Sequence, residues 1–397
     1  MKEIAPLWTR NFVLVSAINF QLVLIFYLLV VVIVGFSVAE LGATTAQAGL
    51  ISGLFIVGTL IGRLLVGKFL TRFGPKTTLL VGLMGFLILS IFYFLPLGIR
   101  TLLFVRFAHG FMMGMASTVL GTVIAQILPA TRRGEGIGYY SMSSTLGTAI
   151  GPFLAIWMML HLGYTAIFAL STIISITCLL VALWVKLPNL PRPQNTLSQG
   201  SLSPSRFISQ FIEIKALPIA CVMLLTAICY SGVLSFIHFY AQDIQLVEAA
   251  SFFFLMYAIA ILCSRPFSGP LLDRKGENII MYPAFLIMAA ALYLLSQAES
   301  SFGLLLCAGL LGLGYGNIQS VCQTIAVKST TLDRMGFATS TFFIFLDAGL
   351  GFGPYFIGMA LNYIDYSQLY FYSSIAALIC IGFYYVLHGR KAKTATR

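Results

Sequence analysis

Four charged side chains and a histidine stand in stretches that are otherwise apolar or small. Asp347 lies in IFLDAGLGFGP (Ile344 to Pro354), while Arg63, Arg106 and Arg265 interrupt other apolar runs, and His109 follows Arg106 by three positions. A carboxyl group in such surroundings can take up and release a proton. A guanidinium keeps its charge and can grip an anion or a carboxylate, and an imidazole titrates near neutral pH. Arg106, His109 and Gly110 are spaced three and four apart, which puts them on one face of a helix. Residues of this kind can move protons or hold ions. Covalent catalysis has no equipment here, because neither an H-E-x-x-H pair nor a nucleophile elbow is present. Gly62, Gly67 and Lys68 begin a phosphate-loop pattern, but Phe69 replaces the Ser or Thr that would hold magnesium, and no strand precedes the glycines. Energy from ATP is therefore not expected.

The elements that position these residues follow from composition. Of 397 residues, 59% are hydrophobic and 9% charged, against roughly 25% charged in soluble domains. A helix needs about 20 apolar residues to cross a hydrocarbon core about 30 Å thick. Twelve such runs are read at 11–36, 46–70, 77–97, 101–128, 137–160, 163–185, 216–241, 248–271, 278–296, 301–327, 336–360 and 367–388. The expected class is an all-α membrane protein, with the first run retained as a span. Asp347 then falls about 16 Å into the eleventh span, near the midplane. A charge there costs about 2.5 to 3.5 kcal/mol on insertion scales, so a cavity or a partner should face it.

The net charge of +11 could suggest nucleic acid, but its distribution points to topology. With the amino terminus in the cytosol, 19 of the 23 Lys and Arg residues fall on that side. Arg100 alone falls on the other, and Arg63, Arg106 and Arg265 lie within or at the ends of spans. This is the positive-inside pattern, and it puts both termini in the cytosol. Seven cysteines, all in apolar runs, show no spacing that suggests a disulfide or a metal site, so no metal or cofactor is expected.

The chain is also written twice. Sliding it by 202 residues lays Arg63, Gly67, Arg72 and Gly74 on Arg265, Gly269, Arg274 and Gly276, and Gly147, Gly151 and Pro152 on Gly349, Gly353 and Pro354. Residues 187–207 between the copies are rich in Pro, Ser and Gln. The expected layout is a six-helix bundle over 1–186, a cytosolic linker over 187–215 and a second six-helix bundle over 216–397. Parallel repeats of this kind build transporters whose substrate site lies between the repeats. The glycine pairs four apart bring bare backbone to one helix face for close packing. Pro152 and Pro354 remove hydrogen bonds and should make those helix ends pliable.

GKFLTRFGPK (Gly67 to Lys76) and GPLLDRKGEN (Gly269 to Asn278) resemble the two copies of the loop motif of the major facilitator superfamily. RFAHG (Arg106 to Gly110) resembles its helix 4 element, with His109 in place of glutamine, and GTAIGP (Gly147 to Pro152) resembles the helix 5 motif of its drug:proton antiporters. The family's loop acid is Thr71 in the first copy and survives only as Asp273 in the second.

The resemblance implies that helix 11 runs beside helix 2, so Arg63 is the expected partner of Asp347. Burial favours a protonated carboxyl and a nearby cation favours the ionised form, so making and breaking this pair would swing the proton affinity of Asp347. A permanent structural pair and direct contact with a cationic substrate are the competing roles. Arg106 and His109 are expected to influence protonation, or Arg106 to meet an anionic substrate. Asn19 and Gln21, which stand where many family exporters carry an acid, join Asn317, Gln319 and Gln323 as candidate cavity residues. The expected function is proton-coupled export of a small organic compound across the plasma membrane, by a monomer whose partners are lipid, substrate and protons. Export of a specific metabolite, such as a sugar or a metal-chelating compound, or movement of lipid are the alternatives.

Overall fold

The computed structural model describes residues 6–95, 98–186 and 211–392, so the expected linker lies outside the described residues except for 211–215. Among the described residues, eleven helices are long and apolar enough to cross a membrane. One of them, Thr45–Ile91, is two spans in sequence, because Gly74 breaks it with φ 78° and ψ 167° ahead of Pro75. A residue with a Cβ resists that positive φ, whereas glycine adopts it freely. The twelve spans are α1 (Arg10–Leu41), α2 (45–73), α3 (75–91), α4 (Ile99–Ile127), α5 (Arg133–His161) and α6 (Gly163–Trp184). The second set is α7 (Leu217–Asp243), α8 (Phe253–Lys275), α9 (Asn278–Ser296), α10 (Ser301–Lys328), α11 (Met335–Ala360) and α12 (Tyr366–Leu387). Gly276, the repeat of Gly74, ends α8 at φ 85°.

Local signals set several ends. Thr9 caps α1, Thr44 and Gln47 form a capping box on α2, and Asp365 and Gln368 form another on α12, each supplying acceptors to amides that a helix start leaves unpaired. At the other polarity, the Lys76 ammonium donates to the carbonyls of Ala182, Leu183 and Val185 at the end of α6, where a cation suits the helix dipole.

Two compact units emerge. The first comprises Met1–Pro129, Ser143–Ile214 and Thr330–Thr341, and the second Ala130–Met142, Lys215–Ser329 and Phe342–Arg397. Each therefore holds one repeat less the beginning of its fifth helix, plus the corresponding beginning from the other repeat.

In the first unit, the glycines of α2 and α4 interlock. A Cβ on Gly58 or Gly62 would strike the backbone carbonyl of Phe107 or Phe111, and one on Gly110 or Gly114 would strike that of Phe55 or Thr59. In lipid, where apolar burial drives helix association little, such close backbone approach supplies the packing energy. Gly147 and Gly151 lay α5 on Val23, Leu24 and Tyr27 of α1. The second unit repeats this, with Gly349 and Gly353 laying α11 on Ala227, Ile228 and Ser231 of α7. Both α5 and α11 continue through Pro152 and Pro354. Large apolar side chains such as Phe153, Phe267 and Phe302 are 72%, 76% and 78% exposed. Such an apolar outer wall suits lipid.

Candidate functional site

The arginines of the repeat have parallel settings. In the first unit Arg63 of α2 is buried and its Nη1 donates to Thr118 Oγ1 of α4 at 3.4 Å. In the second, Nη1 of Arg265 donates to Ser320 Oγ and, at 3.4 Å, to Asn317 Oδ1, while Nη2 donates to the Gly316 carbonyl at 2.9 Å. Thr118 and Ser320 are again 202 residues apart. Gly316 closes a π turn over Gly312–Gly316 within α10, a break in the regular ladder that is often found at functional sites. Asp347 sits half-buried in the middle of α11, and its counterpart in the first repeat is Thr145. The start of α11 belongs to the first unit, where Ser340 Oγ donates to the Arg63 carbonyl and the Phe337 ring fills the notch above Gly67. There Glu213 accepts from Arg334 and its amide donates to Thr341.

Arg106 is 1% exposed and His109 is fully buried. Arg106 Nε donates to the Ile51 carbonyl and Nη1 to Tyr93 Oη, both at 3.3 Å, with the guanidinium 4.4 Å from the centre of the Phe55 ring. Tyr93 Oη also lies 3.0 Å from His109 Nδ1. A guanidinium can only donate, so the tyrosine oxygen accepts from it, and His109 Nδ1 is the acceptor beside the tyrosine's own hydrogen. In that arrangement the neutral imidazole carries its proton on Nε2.

Asp273 occupies the loop motif of the second copy and belongs to the same unit as the start of α5. Its Oδ1 accepts from the Gly134 amide at 3.0 Å and from Lys328 Nζ at 2.9 Å, and its Oδ2 accepts from the Glu135 amide at 2.8 Å. An anion at a helix start meets both free N–H groups and the positive end of the dipole. Gly269 makes the approach possible, because a Cβ there would sit 2.6 Å from Glu135 Cα. Glu135 in turn takes Arg132 in a two-pronged bond at 2.7 and 2.8 Å. In the first copy Thr71 donates only to the nearby Lys68 carbonyl. Arg72 and Arg274 are exposed, the former against the Phe73 ring.

The remaining candidates divide. Asn19 is buried and its amide donates to Ser143 and Ser144 of α5, each at 2.8 Å. Asn317 is engaged at both ends, holding Arg265 while donating to Ser264 and the Leu313 carbonyl. Gln319 is half-buried. Gln21 Oε1 and Gln323 Nε2 are buried without a partner among the described residues. Tyr230, Tyr257 and Tyr315 form a buried column with ring centres 5.6 and 3.9 Å apart along it. Sequence reasoning did not find Tyr93, Phe55, Lys328 or Glu135. Their roles arise from contacts across 13 to 138 positions, which no local spacing announces.

One titrating contact lies outside the spans. Glu277, between α8 and α9, accepts from His388 Nε2 at 2.9 Å at the end of α12. This bond holds its carboxyl below the ordinary value of 4.5, against the opposing effect of burial. A depressed folded value means the contribution is complete above the unfolded carboxylate range and is lost as pH falls through the folded value. Thermal unfolding of the purified protein should therefore lose about 0.5 to 1 kcal/mol between pH 5 and pH 3 that a Glu277→Gln protein does not lose. Equal pH dependence of the two proteins would contradict this.

The sequence profile described as Major Facilitator Superfamily matches residues 14–354 and 247–397. The chain belongs to the major facilitator superfamily. Its duplicated loop motif, twelve spans and two-halved layout are those of the superfamily fold, in a transporter that crosses the membrane many times. An uncharacterized MFS-type transporter of Methanocaldococcus jannaschii is 22% identical over 95% of this chain and 96% of its own. The Multidrug resistance protein MdtL of Escherichia coli is 23% identical over 80% of this chain and 83% of its own. The crystal structure of the human organic anion transporter MFSD10 superposes with a TM-score of 0.75 at 16% identity, covering 94% of this chain and 98% of that one.

Proposed function

We propose that this superfamily member is a proton-coupled exporter of a small organic compound, acting as a monomer in the plasma membrane with both termini in the cytosol. Alternating access would come from opposed rocking of residues 1–186 and 216–397 about a central site. The observation that carries the reading is Asp347, a half-buried carboxyl in the middle of a span whose repeat counterpart is Thr145. An acid inside a span is a functional group by default, and this one gives its repeat a titrating side chain where the other repeat has Thr145. Arg63 is kept as its counter-charge. Both arginines of the repeat are buried, and Arg265 is held by three groups of α10. The 23% identity to a protein named for multidrug resistance favours a drug-like cargo. The positive-inside distribution supports the orientation.

The test is flux by the purified protein in liposomes with an imposed pH gradient, scanned over amphiphilic compounds. The expected result is at least one compound whose flux rises with the gradient and collapses when a protonophore removes it. Compounds that cross in the presence of the protein with no response to the gradient would overturn proton coupling.

A further inference from the structure

Arg106 and His109 each carry a buried nitrogen that meets no hydrogen-bond partner among the described residues. These are Nη2 of Arg106 and Nε2 of His109. Every group that Arg106 does meet is neutral, namely the Ile51 carbonyl, the Tyr93 hydroxyl and the Phe55 ring. No ion pair involves it among the described residues. A full charge held away from water is costly unless an opposite charge or a complete set of hydrogen bonds meets it, and here both are missing on one side of the guanidinium.

The second repeat serves as a control for packing. The positions 202 residues after Tyr93, Arg106 and His109 are Leu295, Ala308 and Leu311, all buried. The same frame thus closes with three apolar side chains, so the polar cluster is not a requirement of the fold. Charge in such a place calls for another explanation.

We propose that the cluster is a binding site for a small monovalent anion, either a free halide or a carboxylate group of the cargo, seated on Arg106 with the Nε2–H of His109 as a second donor. Tyr93 sets the site up. By accepting from Nη1 it leaves Nη2 for the ligand, and by donating to Nδ1 it commits the imidazole to the tautomer whose Nε2 can donate. The ligand must be an acceptor with a negative charge, since the protein contributes only donors and one fixed positive charge. This proposal does not rest on proton coupling and is tested without transport.

The experiment follows thermal unfolding of the purified protein in sodium isethionate at constant ionic strength. Chloride or bromide is added in one arm and benzoate in the other. A saturable rise of the midpoint is expected in at least one arm, and an Arg106→Gln protein should need at least about tenfold more anion for the same rise, a loss of about 1.4 kcal/mol of binding. A rise with halide alone assigns the site to an inorganic ion, and a rise with benzoate alone assigns it to a carboxylate. A midpoint indifferent to all three anions, or an equal response in both proteins, would overturn the site. If Arg106→Gln fails to fold, crystals of the unaltered protein soaked in bromide or in 4-bromobenzoate decide the matter. An anomalous bromide peak in hydrogen-bond contact with Arg106, or a carboxylate seated there, is expected, and a guanidinium with neither beside it refutes the proposal.

Discussion

In an Asp347→Asn protein, gradient-driven accumulation of substrate is expected to fall by at least about tenfold, the factor that about 1.4 kcal/mol of driving energy represents. Counterflow, in which labelled and unlabelled substrate exchange with no gradient, should stay within about threefold of the unaltered protein by the same arithmetic. The amide matches the carboxyl in size and keeps an acceptor but cannot titrate, so the substitution removes the proton from the cycle and leaves the cycle itself. Asp347 is half-buried, and Gly349, two residues on, packs against Ala227 of α7. An isosteric change should therefore leave the α11–α7 contact in place. Loss of exchange along with accumulation would assign Asp347 a purely structural role. Arg63→Asp combined with Asp347→Arg offers a second reading, since restored exchange in the double variant, where each single variant fails, would support the proposed pairing.

Removing Asp273 should have the largest effect on stability. In Asp273→Ala, the amides of Gly134 and Glu135 lose their acceptors and Lys328 loses its counter-charge. Leaving buried donors unpaired costs about 1 to 3 kcal/mol, and the lost charge at the start of α5 adds about 0.3 to 1 kcal/mol. Amide hydrogen exchange at Gly134 and Glu135 should accelerate by roughly 30-fold or more, as local opening becomes easier by about 2 kcal/mol. Asp273→Asn should cost nearly as much, because the amide nitrogen would then face a backbone N–H and two donors would meet. A protein whose exchange at these positions is unchanged would show that the contact contributes nothing to holding α5. Thr71, its counterpart, spends its hydroxyl on the Lys68 carbonyl of its own helix. The start of α11 is secured differently, by Glu213 with Arg334 and by Phe337 over Gly67. The repeat kept its geometry and divided its chemistry.

Much of this architecture was legible in the residues alone. Hydrophobic runs set the spans, since a lipid solvent tolerates little else, and the ninth span read as 278–296 is the helix Asn278–Ser296. The paired loop glycines Gly74 and Gly276 both take positive φ, a conformation that other residues resist. The register of 202 announced that Arg63 and Arg265 would share a setting, and each does meet a hydroxyl 55 positions on.

The sequence could also say that Asp347 and Arg106 were out of place in apolar surroundings, and that Thr71 stood where the second copy keeps Asp273. It could not say what each would meet, because a side chain's partner depends on which helices touch and at what depth. Tyr93 meeting Arg106 and His109, Asp273 reaching the first turn of α5, and Asn317 turning to Arg265 rather than standing free were all decided by tertiary packing. Spacing along a chain records neighbours on one helix, whereas these contacts join helices that the bilayer and the glycine notches bring together.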